Sequence, residues 1–111
     1  MKFKQYPIDE WPPGLNSEIA MFELSWRQLQ KKGLSFERSL DQLDWFRGAI
    51  FDLDGSTYAL TYHLRAPVRG SVLWVMDDAP NPGQSIRNVM RELEIQKFAL
   101  LWIHPDLQIA L

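Results

Sequence analysis

The sequence contains no cysteine and only two histidines among its 111 residues. Without cysteine, the chain can form neither a disulfide framework nor a thiolate metal site, and it has no thiol nucleophile. Long basic runs are also missing, since no cluster of lysine or arginine is longer than Lys31-Lys32, and the formal net charge is −2. Because nucleic-acid affinity depends on the neutralisation of phosphates, we expect no nucleic-acid partner.

Long hydrophobic stretches are absent as well. The longest unbroken apolar run covers residues 98–103, whereas a membrane-spanning helix needs about 20 apolar residues. The first residues lead directly to the acidic and aromatic segment before Trp11, without the apolar stretch that is typical of an export signal. We therefore expect a soluble cytoplasmic protein with no membrane partner.

Apolar residues nevertheless make up 46% of the chain, and five of them are tryptophans. A chain of this length buries enough surface on folding to form one hydrophobic core. We predict a single domain over residues 1–111, which begins with a proline-rich and aromatic arm at residues 1–15.

Two helices are predicted over residues 16–44. The first spans 17–32, because its apolar residues recur three and four positions apart. That stripe consists of Ile19, Phe22, Trp26 and Leu29. The second helix is capped by Ser35 and ends near Asp44. Its apolar side consists of Phe36, Leu40 and Leu43.

A change to two-residue periodicity predicts strands from residue 45 onward. Asp54-Gly55 lies between two alternating segments, which is a strong signal for a hairpin with a type I′ turn. In the predicted register, the numbers of paired residues sum to 109. A third strand completes a three-stranded meander over residues 45–77.

The last third of the sequence predicts one helix and one strand. Asn81, Pro82 and Gln84 have the pattern of a helix start, which gives a helix over 81–94, and a final strand follows over 97–104. The predicted order is α-α-β-β-β-α-β. We therefore expect a two-layer α+β domain with a mainly antiparallel four-stranded sheet, about three helices and one right-handed crossover through the last helix.

Residues 49–56 form an apolar segment that ends in the pattern DxDG followed by Ser56. The segment resembles the first motif of the haloacid-dehalogenase-type phosphotransferases, an apolar strand that ends in DxDGT. The resemblance implies that Asp52 is a nucleophile, that Asp54 is the general acid/base and that magnesium bridges them to the substrate. A hairpin turn explains the same residues without catalysis. Of the two interpretations we favour the turn, with no metal ion and no cofactor.

His63 suggests a second alternative, a small enzyme or ligand-binding protein. In a pocket beside the hairpin, it could relay protons with Asp52 or with either of Asp77 and Asp78. The simpler interpretation is a partly exposed histidine on the surface of a sheet.

Acidic residues and aromatic residues give the remaining functional signal. Five acids and two bases lie between residues 37 and 54, and an acidic rim around exposed aromatic side chains suits a basic protein partner. Trp11 precedes two prolines and is a candidate anchor. The candidate partner-binding residues are Trp11, Asp41, Asp44, Asp52, Asp54, His63, Asp77 and Asp78.

The third and last predicted strands are apolar on both faces. Either helices cover both sides of this part of the sheet, or one side contacts another chain. Self-association through residues 98–103 is therefore an alternative to a foreign partner. The function we predict is a small non-enzymatic protein-binding domain, for which a bacterial toxin-neutralising immunity-type inhibitor is a class-level analogy.

Overall fold

The computed structural model describes residues 3–40 and 44–107. Within them the chain forms seven strands, two α-helices and two 3₁₀ turns, the latter at Ile8–Glu10 and Lys97–Ala99. The strands are β1 (Lys4–Tyr6), β2 (Ser17–Phe22), β3 (Glu37–Leu40), β4 (Trp45–Leu53), β5 (Ser56–His63), β6 (Ser71–Val75) and β7 (Leu100–Ile103). The helices are α1 (Trp26–Gln30) and α2 (Pro82–Glu92).

All seven strands belong to one antiparallel sheet, and six of them follow one another in the order β1-β4-β5-β6-β2-β7. The short strand β3 also pairs with β4, opposite residues 45–48, while β1 pairs with residues 50–52. These two strands therefore share one edge of the sheet, and β7 forms the other edge. The connection from β6 through α2 to β7 passes over β2, which lies between them.

This architecture contradicts the predicted four-stranded sheet with three helices, and the first error lies at residues 17–32. Residues 17–22 form β2, which is paired on both sides, by β6 and by β7. A register shift between Glu18 and Ala20 adds one residue to the strand, so that Ile19 and Ala20 are both buried. Because of this bulge, Ile19 and Phe22, which are three positions apart, both enter the main core, and a helix gives apolar residues the same spacing. The part of the predicted helix that is helical is α1, where Ser25 forms a capping box with Gln28.

The predicted second helix is also wrong, because residues 37–40 form β3. Ser35 does not cap a helix, because a strand follows it. Its backbone N–H donates to Gln5 Oε1. Phe36 is buried in the core, whereas Leu40 is exposed. Leu43 and Asp41 lie outside the described residues. The last strand is shorter than predicted, because residues 97–99 form a 3₁₀ turn before β7 begins.

The hairpin and the later helix are confirmed. Phe46 pairs with His63 and Leu53 with Ser56, as the predicted register requires. Asp54 and Gly55 have φ values of 51° and 80°, the positive values that a type I′ turn needs at both central residues. At the start of α2, the Asn81 side chain accepts a hydrogen bond from the Gln84 N–H.

One face of the sheet packs against both helices and carries the main hydrophobic core. Its largest fully buried side chains are Phe22, Phe51, Leu29, Leu34, Leu60, Leu73, Val75, Ile86, Val89 and Leu93. No helix among the described residues is long and apolar enough to cross a membrane.

The opposite face is partly covered by the docked segment, residues 7–16. Ile8 and Leu15 pack on Ile50 and Ala59 to form a second, smaller apolar cluster. A Cβ atom at Gly48 would lie 2.6 Å from Ile8 Cδ1, so the Ile8 side chain packs closely on the sheet at Gly48 and would have to shift for a larger residue. The N-terminal arm of the sequence is therefore part of the folded domain.

Candidate functional site

The predicted carboxylates at the hairpin are occupied by structural contacts. Asp52 accepts hydrogen bonds from Tyr6 Oη (2.5 Å) and Thr57 Oγ1 (2.7 Å), which tie β1 and β5 to β4. Asp54 lies in the turn, with its carboxylate 3.6 Å from a terminal nitrogen of Arg91. Beyond Gly55 the chain folds back as the antiparallel strand β5. The DxDG pattern therefore forms a hairpin turn in which the two aspartates have different partners.

Asp77 and Asp78 lie at the same end of the sheet, after β6. The Asp77 carboxylate accepts hydrogen bonds from Asn16 Nδ2 (3.2 Å) and Ser17 Oγ (2.6 Å), and its backbone N–H donates to the Gly14 carbonyl (2.7 Å). Asp77 thereby fixes the end of the docked segment to the sheet. Asp78 is exposed and lines a shallow groove of about 470 Å³ between the hairpin turn and the start of α2.

His63 and Asp44 lie at the opposite end of the hairpin. The His63 ring stacks on Phe46 with a centroid distance of 5.4 Å. Its cross-strand pair is six positions from that of Asp52, a separation of roughly 20 Å at the usual rise of a strand. The Asp44 carboxylate accepts a hydrogen bond from the Trp45 N–H. The structure therefore does not bring His63 together with the carboxylates of the hairpin turn.

Trp11, the remaining predicted site residue, is docked. Its ring lies edge-on to Trp74 with a centroid distance of 5.5 Å, and its Nε1 donates to the Leu15 carbonyl at 2.7 Å. Asp41 lies outside the described residues. Among the described residues, no group of three or more histidine, aspartate or glutamate side chains is placed to hold a metal ion.

A second groove, which we call the acidic groove, lies where β2 begins and β6 and β7 end. Its volume is about 520 Å³, and three carboxylates line it, those of Glu18, Asp77 and Asp106. Trp102 and His104 also line it, whereas none of its lining residues is a lysine or an arginine. The groove therefore combines negative charge with an aromatic wall.

The edge strand β7 continues from the acidic groove as an exposed apolar surface. Phe98 is 87% exposed, Leu101 42% and Trp102 41%; we call these three residues the β7 patch. A register shift in the pairing with β2 places Trp102 opposite Met21 and Leu100 opposite Phe22, which leaves Leu101 without a cross-strand partner in β2. Because of this irregularity, consecutive apolar side chains of β7 reach the surface.

Sequence reasoning named Asp77 as a candidate but did not name Glu18 and Asp106, which line the same groove. Glu18 was assigned to a helix, so its position beside β6 could not be inferred. The available signal was the run 98–103, whose apolar residues occupy both faces of a strand, so that either helices cover both faces or one face contacts another chain. In the structure, Leu101 and Trp102 of this run are exposed.

Comparison of the chain with protein-family models, with curated proteins and with solved structures finds no match.

Proposed function

We propose that this protein is a non-enzymatic protein-binding domain that takes up a basic, extended segment of a partner protein in the acidic groove and along β7. The observation that carries this proposal is the position of Trp102. Its exposed ring lies both in the β7 patch and in the wall of a groove that is lined by three carboxylates and by no lysine or arginine.

The negative charge of the acidic groove favours a positively charged partner segment. Glu18 is exposed and forms no ion pair with any described residue, and the Asp106 carboxylate lies 3.8 Å from His104 Nδ1. No lysine or arginine lines the groove, so its carboxylates attract a cationic segment and raise its rate of association. Asp77 is held by Asn16 and Ser17, so one wall of the groove is already ordered before a ligand binds.

The β7 patch supplies the apolar contact that charge alone does not give. Tryptophan is enriched among the residues that dominate binding energy, because a large ring in a desolvated contact loses little side-chain entropy. Among the described strands, β7 pairs only with β2. Its free edge can therefore accept a further strand through backbone hydrogen bonds.

The narrower form of the proposal is an inhibitor that neutralises a basic toxin. In that case the partner's active site would be covered when the acidic groove is filled. An inhibition assay against such a partner, with the Trp102→Ser variant as the comparison, tests this form separately from binding itself.

Binding is tested with two labelled peptides that alternate leucine with lysine or with glutamate, by fluorescence anisotropy. We expect the lysine peptide to bind and the glutamate peptide to leave the acidic groove empty. Trp102→Ser should raise the dissociation constant of the lysine peptide about 30-fold, the effect of losing a residue that contributes about 2 kcal/mol. Glu18→Gln should raise the same constant about threefold, since exposed charge pairs contribute less than 1 kcal/mol.

Matched controls exist for both variants. Trp45 is exposed to nearly the same extent, 40%, but lies far from the groove near the start of β4, so Trp45→Ser should leave lysine-peptide binding unchanged. Glu10 is exposed in the 3₁₀ turn Ile8–Glu10, which contacts β3 and β4, and Glu10→Gln is the control for charge. The proposal is wrong if the two tryptophan variants bind the peptide equally, or if sedimentation shows a dimer that Trp102→Ser dissociates, since β7 would then be covered by a second copy.

A further inference from the structure

Three arginines and two tryptophans gather at the end of the sheet that is remote from the acidic groove. Arg38 in β3 lies directly opposite Arg47 in β4. The guanidinium of Arg47 is 4.5 Å from the centre of the Trp26 ring, and that of Arg38 is 4.2 Å from the centre of the Trp45 ring. Arg27 also lies over Trp26, at 5.1 Å. We call these five residues the arginine cluster.

No carboxylate of the described residues neutralises the positive charge of the arginine cluster. Among the described residues, none of its three arginines forms an ion pair with a carboxylate, although the whole chain has 14 acidic residues against 12 lysines and arginines. Two like charges directly opposite each other in neighbouring strands destabilise a sheet. In addition, the Nε of Arg47 is buried and donates to no acceptor within the described chain, which has a free-energy cost. An anion bound between the two arginines would reduce both costs, the repulsion between Arg38 and Arg47 and the unpaired Nε of Arg47.

The contacts with tryptophan limit the kinds of anion that fit. A guanidinium over an aromatic ring keeps edge nitrogens available, and these match the paired oxygens of a carboxylate or a phosphate. The same stacking covers ring faces on which a nucleic-acid base would otherwise lie. Leu40, 57% exposed and opposite Trp45, adds an apolar contact beside the charges. Among the described strands, β3 pairs only with β4. At its first residue, Glu37 accepts a hydrogen bond from the Ile8 N–H, so an extended chain would pair with the rest of the unpaired edge.

We infer that the arginine cluster is a second binding site, which takes an extended acidic peptide segment with apolar residues between its carboxylates. The segment would lie along the free edge of β3, with carboxylates on Arg38 and Arg47 and an apolar side chain against Leu40 and Trp45. This site does not depend on the function proposed for the acidic groove, because it lies at the other end of the sheet and has the opposite charge.

The inference is tested with the labelled peptide that alternates glutamate with leucine, by anisotropy at two salt concentrations. We expect binding that weakens with salt, and a loss of about tenfold in Arg38→Gln, the effect of one charge-assisted hydrogen bond. Arg38 is exposed, so this change should not affect folding. Arg69→Gln removes an exposed arginine from the loop before β6 and should bind as the parent protein does.

Two further readouts make the result specific. Peptide binding should shift tryptophan emission in the parent protein, and Trp45→Phe should reduce that shift. Trp102→Ser should retain acidic-peptide binding whether or not it binds the basic peptide, so failure at one site is distinguishable from failure at the other. Equal binding by Arg38→Gln and Arg69→Gln would overturn the inference. Displacement of the peptide by inorganic phosphate or by oligothymidylate at equal concentration would overturn it as well. So would a salt-sensitive oligomer that both Arg38→Gln and Trp102→Ser dissociate, because the two sites would then bind each other in different copies of the chain.

Discussion

The two faces of the sheet are covered by different kinds of structure. The helix-covered face buries large side chains completely, Phe22, Phe51 and Leu60 among them. On the other face, an irregular segment packs two residues, Ile8 and Leu15, on the sheet. The difference indicates that stability resides mainly on the helix-covered face, since stabilisation grows with the apolar area that is removed from water. The face under the docked segment is therefore more tolerant of change.

The strongest test of this comparison uses two adjacent residues of β4 that point to opposite faces. Phe51 lies in the main core and Ile50 in the smaller cluster, and both are fully buried. Phe51→Ala should lower the free energy of unfolding by about 4 kcal/mol, because a large cavity forms beside the rings of Phe3 and Tyr58. Urea denaturation followed by tryptophan fluorescence measures this change.

Ile50→Ala is the matched variant for the opposite face. We expect the free energy of unfolding to fall by about 2 kcal/mol, the lower end of the range for Ile→Ala in a core, because the docked segment can move inward to fill the space. Equal losses in the two variants would show that the two faces contribute alike and would contradict the comparison.

An effect of similar size to that of Ile50→Ala is expected when the anchor of the docked segment is removed. Trp11→Ala removes the edge-on contact with Trp74 and the hydrogen bond to Leu15, which should destabilise the protein by about 2 kcal/mol. Limited proteolysis should then cut within residues 7–16 while the rest of the chain stays folded. Cleavage at the same rate in the parent protein would mean that this segment is not held by Trp11.

The smallest effect is expected at the hairpin turn, from the combined change Asp52→Asn and Asp54→Asn. Asparagine tolerates the positive φ of position 54, and at position 52 it weakens the hydrogen bonds from Tyr6 and Thr57, so we expect a loss of about 1 kcal/mol. Thermal unfolding measures this loss. A magnesium-dependent phosphatase activity that is present in the parent protein and absent from the double variant would show that the turn has a catalytic role.

The sequence allowed prediction where structure depends on local contacts. Asp54 and Gly55 specify their turn through backbone preference, and Asn81 specifies the start of α2 through one side-chain hydrogen bond to Gln84. Both signals lie within a few residues of the element that they define. The register of the hairpin follows from the turn, which is why its pairs were predicted correctly.

Prediction failed where long-range pairing decides the conformation. Ile19 and Phe22 have helical spacing, but pairing with two distant strands places them in a bulged strand. The same error concealed the acidic groove, because Glu18 reaches Asp77 and Asp106 only after β2 has entered the sheet. The arginine cluster was missed for a related reason, since residues 35–44 were assigned to a helix, in which Arg38 would not lie opposite Arg47.

The position of β2 between β6 and β7 has a consequence for the order in which the molecule folds. β2 is synthesised before both of these strands, so its backbone N–H and C=O groups have no strand to pair with until first β6 and then β7 has been made. β4 and β5 are adjacent in the sequence, so their hairpin can form as soon as both strands have been made, and β6 can then pair with β5. Until residues 100–103 have left the exit tunnel, one side of β2 stays open, and the nascent chain is most exposed to wrong pairing during that interval.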